Sequence, residues 1–282
     1  MKKEVMVDMT SGRIAPQILR FAMPVLLGLV FQRIYNFADS YIVGHFLGDN
    51  ALAAVSVAGV GMYLVFSLII GLTTGVTVVM SQYYGAKEED KVVKTFFSSI
   101  FIALGMTILV TVIGLLMTRP LLIALQTPAE VLDAAVLYLR IICAGSVGTM
   151  LYNWISAVLR SLGNSVVPLI FLGISSLLNI VFDILFVAVI PMGVGGAAFA
   201  TVLAQIISGV ACLLYAWKIL PMLRIRRDKL KLDTYIGKQM LVYGLPAALQ
   251  MSIISISDMT LQAVVNTYGT TLVVAYGVCI KV

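Results

Sequence analysis

The chain has 282 residues, of which 61% are hydrophobic and 11% charged, with a formal net charge of +6. So apolar a composition excludes a soluble globular domain. One histidine and three cysteines give neither a transition-metal cluster nor a disulfide framework.

Crossing ~30 Å of hydrocarbon takes about 20 consecutive apolar residues, and the chain contains several such runs. The first, 14–44, is too long for the apolar core of a signal peptide and is interrupted by Arg20, Arg33 and Asp39, so it is read as a retained first helix. The second, 51–82, carries no charge. Further helices are expected at 95–118, 134–159, 165–190 with Asp183 inside it, 193–217 and 237–265. Barrel strands are short and alternating, whereas these runs are long and continuous, so the expected fold is an all-α polytopic membrane protein. An eighth helix begins after Gly269, but 270–282 is too short to cross. The chain therefore reads as incomplete, either truncated or completed by another polypeptide.

Basic residues collect on alternate connections. With the amino terminus inside, the inner flanks hold Lys2, Lys3, Arg13, Arg20, Lys87, Lys91, Lys94, Arg160 and the cluster from Lys218 to Lys238, while the outer side holds Arg119 and, near a helix end, Arg140. That asymmetry predicts a multi-pass membrane protein with a cytoplasmic amino terminus. The basic segment would lie against anionic headgroups, making membrane lipid a partner. Its charges flank membrane spans without interleaved stacking aromatics, so no nucleic-acid partner is expected.

The same basic segment separates six helices from a seventh, and after it the start of the chain recurs. Arg20-Phe21-Ala22-Met23-Pro24 is echoed by Val242-Tyr243-Gly244-Leu245-Pro246, and a one-residue slip aligns Gly48 with Gly269 and Ala54 with Ala275. The expected organisation is an amino-terminal six-helix lobe at 1–217, a basic cytoplasmic linker at 218–238 and the start of a second lobe at 239–282. Six helices per unit give both units the same orientation in the membrane.

Asp39 and Asp183 carry the strongest functional signal. A carboxylate near the bilayer midplane costs several kcal/mol, roughly 2.5–3.5 on insertion scales, so such residues face a bundle interior and handle ions or substrate. Asn179 precedes Asp183 by one helical turn and shares its face. A purely structural interhelical hydrogen bond is the competing reading for these residues and for Thr201. No G-x-x-x-x-G-K-[ST] loop is present, and the lone His45 is expected in a loop after the first helix, remote in sequence from Asp183, so no enzyme is expected and no cofactor.

These residues carry a family resemblance. The chain resembles a multidrug and toxic compound extrusion (MATE) transporter, most like its DinF-like bacterial branch. The resemblance rests on Pro24 followed by Asp39-Ser40-Tyr41-Ile42-Val43-Gly44, and on Gly48 with Ala51-Leu52-Ala53-Ala54. Ser81-Gln82-Tyr83-Tyr84-Gly85-Ala86, Arg160-Ser161-Leu162-Gly163-Asn164, Asn179 with Asp183, and Gly193-Val194-Gly195-Gly196-Ala197-Ala198-Phe199-Ala200-Thr201 complete it. The resemblance implies two six-helix lobes around a central cavity, with a missing carboxy-terminal lobe as a partner in cis or trans. It further implies that Asp39, Asn179, Asp183 and Thr201 form a cation site where H⁺ or Na⁺ drives export of amphipathic, cationic small molecules, and that Pro24 bends the first helix. The residue types suit this, because carboxylates, an amide and a hydroxyl are hard oxygen ligands. Two carboxylates in a low dielectric also resist ionising together, so proton and Na⁺ can compete for one site.

Further residues depart from the family pattern or add to it. Arg33 stands in the first helix where an uncharged side chain is usual, and Asp258 occupies the repeat position of Asn36. All three are candidates for lining a cavity. Two further functions compete with cation-coupled antiport. One is a related flippase of lipid-linked or polysaccharide substrates, for which a cationic cavity and hence Arg33 is the hint. The other is a fragment inactive without a second lobe.

Overall fold

A computed structural model describes residues 12–221 and 231–281. Lys2 and Lys3, and Arg224, Arg226, Arg227 and Lys229 of the expected linker, lie outside the described residues.

Among the described residues nine α-helices run in chain order: α1 Ile14–Leu47, α2 Asp49–Gly85, α3 Glu89–Ala124, α4 Ala129–Ala144, α5 Ser146–Ser161, α6 Val166–Asp183, α7 Gly193–Ile219, α8 Thr234–Asn266 and α9 Thr270–Lys281. A π-helical segment, Ile184–Val189, continues α6. No strand occurs among the described residues, as expected where backbone groups in lipid must be satisfied within each segment. Six of the expected spans are single helices, α6 with its π-helical extension counted as one, and the bent pair α4 and α5 forms the seventh. The chain is therefore a multi-pass membrane protein.

The helices overrun the apolar windows because their polar ends are also helical. α3 starts six residues before the expected 95, with Glu89 and Asp90 in its first turn, where they favour the positive end of the helix dipole. α8 starts at Thr234 because Asp233 caps it, its Oδ1 accepting from Tyr235 N at 3.1 Å and Ile236 N at 3.2 Å. The expected helix at 134–159 is broken: α4 and α5 meet at Gly145 with a 49° bend. A side chain at Gly145 would overlap Val202, and one at Gly148 would lie 2.6 Å from Ile206 Cγ1, so the bent pair presses against α7. α1 and α8 run through Pro24 and Pro246 without interruption.

Gly48 alone joins α1 to α2, with φ +82° and its N–H bonded to Gly44 O at 3.1 Å. Gly269 precedes α9 with φ +89°, a backbone that a residue with a Cβ adopts only under strain. Leu52 N donates to Gly48 O and Val273 N to Gly269 O, each at 3.2 Å. The two glycines aligned by the sequence repeat thus make the same corner.

α2 and α8 approach each other closely. A Cβ at Gly71 would overlap Ala248, and one at Gly75 would overlap the Met240 carbonyl. Ser67 Oγ and Ser252 Oγ lie 2.8 Å apart, and Tyr83 Oη donates to Gln239 Oε1 at 2.8 Å. Lipid tails give apolar helices no hydrophobic reason to associate, so such contact rests on backbone proximity and polar links.

Two apolar clusters fill the bundle. One joins the end of α1 and the start of α2 to α4 and the start of α7. The other joins the second half of α2 to α3, α5 and the end of α7.

Gly75→Ala should lower the thermal stability of the detergent-solubilised chain by about 1–3 kcal/mol, the usual cost of overpacking. Gly105→Ala, whose Cβ meets open space, should leave it unchanged or raise it by up to about 1 kcal/mol.

Candidate functional site

Asp39 sits on the buried side of α1, between exposed Phe37 and Tyr41. α6 presents Asn179 and Asp183 one turn apart on its inner face and changes to π-helical winding at Ile184. Such segments add a residue to a turn and recur at functional sites. The π-segment closes with Met192 N donating to Phe186 O at 2.9 Å, and α7 then packs back along it. Gly196 permits that return, since a Cβ there would lie 2.7 Å from the Phe186 carbonyl oxygen. The return carries Thr201 to Asn179.

The structure brings all four expected site residues together. Asp39 is 7% exposed, Asn179 3% and Asp183 0%. The Asp183 carboxyl lies against that of Asp39. Asn179 Nδ2 donates to Thr201 Oγ1 at 3.2 Å, and Thr201 Oγ1 donates to Ala197 O at 3.1 Å. Among the described residues no N–H or O–H donates to Asp183 Oδ1, Asp183 Oδ2 or Asn179 Oδ1. Buried oxygens without donors are a poor structural tie, because an unsatisfied polar group costs about 1–3 kcal/mol. They are a good fit for a proton or a small hard cation.

Sequence reasoning missed Tyr138. This buried α4 residue lies beside Thr201 and within electrostatic reach of both acids. A tyrosine in an apolar helix is ordinary, so its sequence surroundings carried no signal.

Among the described residues two cavities adjoin the site, one at Asn179 and Thr201 and the other at Asp39. One, of about 110 Å³, is lined by Gln32, Asn36, Asn179, Thr201 and Gln205 among others. The second, of about 70 Å³, is lined by Arg33, Asn36, Asp39, Ser56, Tyr138 and Gln262 among others. Asn36, Met62 and Tyr63 line both and so form the wall between them. Of the three cavity candidates, Arg33 and Asn36 thus line a cavity. Asp258 lines neither of these two and stands exposed on α8 within electrostatic reach of Tyr276. Pro24 lines neither. His45 stacks on Tyr41, with ring centroids 5.7 Å apart.

A family model described as MatE matches residues 24–185. "Probable multidrug resistance protein YpnP" of Bacillus subtilis is 35% identical over 96% of this chain and 60% of its own length. "Probable multidrug resistance protein NorM" of Thermotoga maritima is 26% identical over 86% of this chain and 53% of its own. The solved "Inward-facing conformation of a multidrug resistance MATE family transporter of the MOP superfamily" superimposes with a TM-score of 0.81 at 26% identity, covering 93% of this chain and 60% of that one. The solved MATE multidrug transporter DinF-BH shares the fold at a TM-score of 0.90 and 22% identity, over 100% of this chain and 63% of that one. The chain thus spans about three-fifths of the length of the relatives it matches.

Thr201→Val removes the acceptor of the Asn179 amide and should cost about 1–2 kcal/mol of stability, whereas Thr201→Ser should retain it. Thermal unfolding of the two variants in one detergent reads the difference.

Proposed function

The chain belongs to the MATE family, and from that premise we propose that it works in cation-coupled export of amphipathic, cationic compounds by alternating access. The observation that carries this reading is the pairing of Asp39 with Asp183, both buried, beside Asn179 and Thr201. Placing two carboxyls side by side inside an apolar bundle is costly unless a cation or proton joins them. Entry of H⁺ or Na⁺ from outside would favour the state that releases drug outward, and drug capture from inside would require its departure. Asp39 opens to a cavity, Asp183 is wholly enclosed, and the bonds of Thr201 to Asn179 and Ala197 O hold its hydroxyl at the site. The names of the bacterial relatives support multidrug compounds as substrates.

In this reading residues 1–217 form the amino-terminal lobe, 218–238 the interlobe linker and 239–282 the start of a second lobe. The rest of that lobe would be supplied in cis or trans. The protein would lie in the bacterial inner membrane with its amino terminus in the cytoplasm, the basic inner flanks meeting anionic lipid. A flippase of lipid-linked substrates is the second reading. Arg33 favours it, and the carboxylate of Asp39 in the same cavity weighs against it.

Ethidium efflux from a susceptible bacterial strain tests the proposal, comparing the chain alone with the chain joined to a complete second six-helix unit, under imposed pH and Na⁺ gradients. Asp39→Asn and Asp183→Asn should each reduce gradient-driven efflux at least about tenfold at matched expression. The basis is that a lost charge partner at a coupling site is worth more than about 1.4 kcal/mol. Unchanged efflux in both variants would remove the site from the mechanism.

A further inference from the structure

The cavity of about 70 Å³ beside Asp39 holds opposite charges on one helix. Arg33 and Asp39 both line it, and six residues separate them, about 9 Å along a helix axis. The remaining polar lining is neutral: Asn36, Ser56, Tyr63, Tyr138 and Gln262. Ser56 is buried and its Oγ has no hydrogen-bond partner among the described residues, so a hydroxyl is left for whatever enters. Asp258, the other acid on a facing helix, lines neither this cavity nor its neighbour. A ligand with a single positive charge would be drawn to Asp39 and repelled by Arg33. A ligand with a single negative charge would meet the reverse. A molecule carrying both charges is answered at both ends.

We propose that Arg33 is a specificity-determining residue that makes the cavity select zwitterionic amphipaths, holding the ligand's carboxylate or other anionic group while its cationic end faces Asp39. The inference rests on the export reading and refines its substrate class. The cavity has room for an anionic group and not for a whole drug, since ligand-sized sites run to roughly 300–1,000 Å³. The apolar body of the ligand lies outside it, against Met62 and Tyr63, which wall the cavity on the side of its larger neighbour. Guanidinium suits the task because its planar fork meets a carboxylate through two parallel hydrogen bonds.

A matched dye pair tests this: a rhodamine with a free carboxylate, which is a zwitterion, and its ethyl ester, which is a cation with the same chromophore. Binding of each to the purified chain is followed by fluorescence anisotropy. Arg33→Gln should weaken the zwitterion about tenfold and leave the ester unchanged or tighter, and Arg33→Lys, which keeps the charge and loses the fork, should fall between the two. Arg33 is exposed, so neither variant opens a hole in the core. Equal weakening of both dyes, no change in either, or a lysine variant less selective than the glutamine variant would overturn the assignment while the export reading stands. Binding of neither dye to the unmodified chain would overturn this inference, whereas the export reading falls only if the chain joined to a complete second six-helix unit fails to export ethidium.

Discussion

A carboxyl wholly enclosed in a helix bundle must be answered by some other group, and because the neighbour of Asp183 is the carboxyl of Asp39, only a proton or cation between them can do so. The rest of the site follows from holding these two side chains together. α1 has little burial of its own, and Asp39, Ser40, Ile42 and Val43 are where it does turn inward. α6 delivers Asp183 at the point where its winding loosens. α7 reaches the site because Gly196 lets it lie on the Phe186 carbonyl. None of these helices would gain much from lipid exclusion alone, so close backbone approach and polar contact fix their arrangement.

Small residues set the same geometry elsewhere. Gly71 and Gly75 bring α2 onto α8, and Gly145 and Gly148 bring the bent pair of α4 and α5 onto α7. α2 touches most of the other elements and is the post around which they are arranged. The two cavities lie along it, one shared with α5, α6 and α7 and the other with α4 and α8. Asn36, Met62 and Tyr63 are the partition, so a rotation of α1 against α2 would join or separate them.

How much of this was legible in the sequence depends on what each residue contrasts with. Asp39, Asn179 and Asp183 stood out because acids and amides are costly in apolar runs, and the family resemblance added Thr201. The spans were legible from apolar length, and Gly48 and Gly269 from the repeat. Tyr138 was not, because an aromatic in a membrane helix is unremarked by hydropathy, and what sets it apart is the contact with Thr201. The bend at Gly145 was hidden because glycine is frequent in membrane helices and here acts through its fit to Val202 on another helix. The π-helical winding after Asp183 has no local sequence mark. Arg33 was visible as an oddity, and its meaning came only from sharing a cavity with Asp39.

Coupled export through this site requires the acid pair to bind a proton or Na⁺ in the folded chain. A bound ligand raises stability by RT ln(1 + [L]/Kd), so the most direct measurement is the Tm of the purified chain across a grid of pH and Na⁺, with K⁺ holding ionic strength constant. Tm should rise as protons or Na⁺ are added, and Asp183→Asn should remove most of that response. An identical response in both proteins, or none in the unmodified chain, would contradict ion binding by the pair.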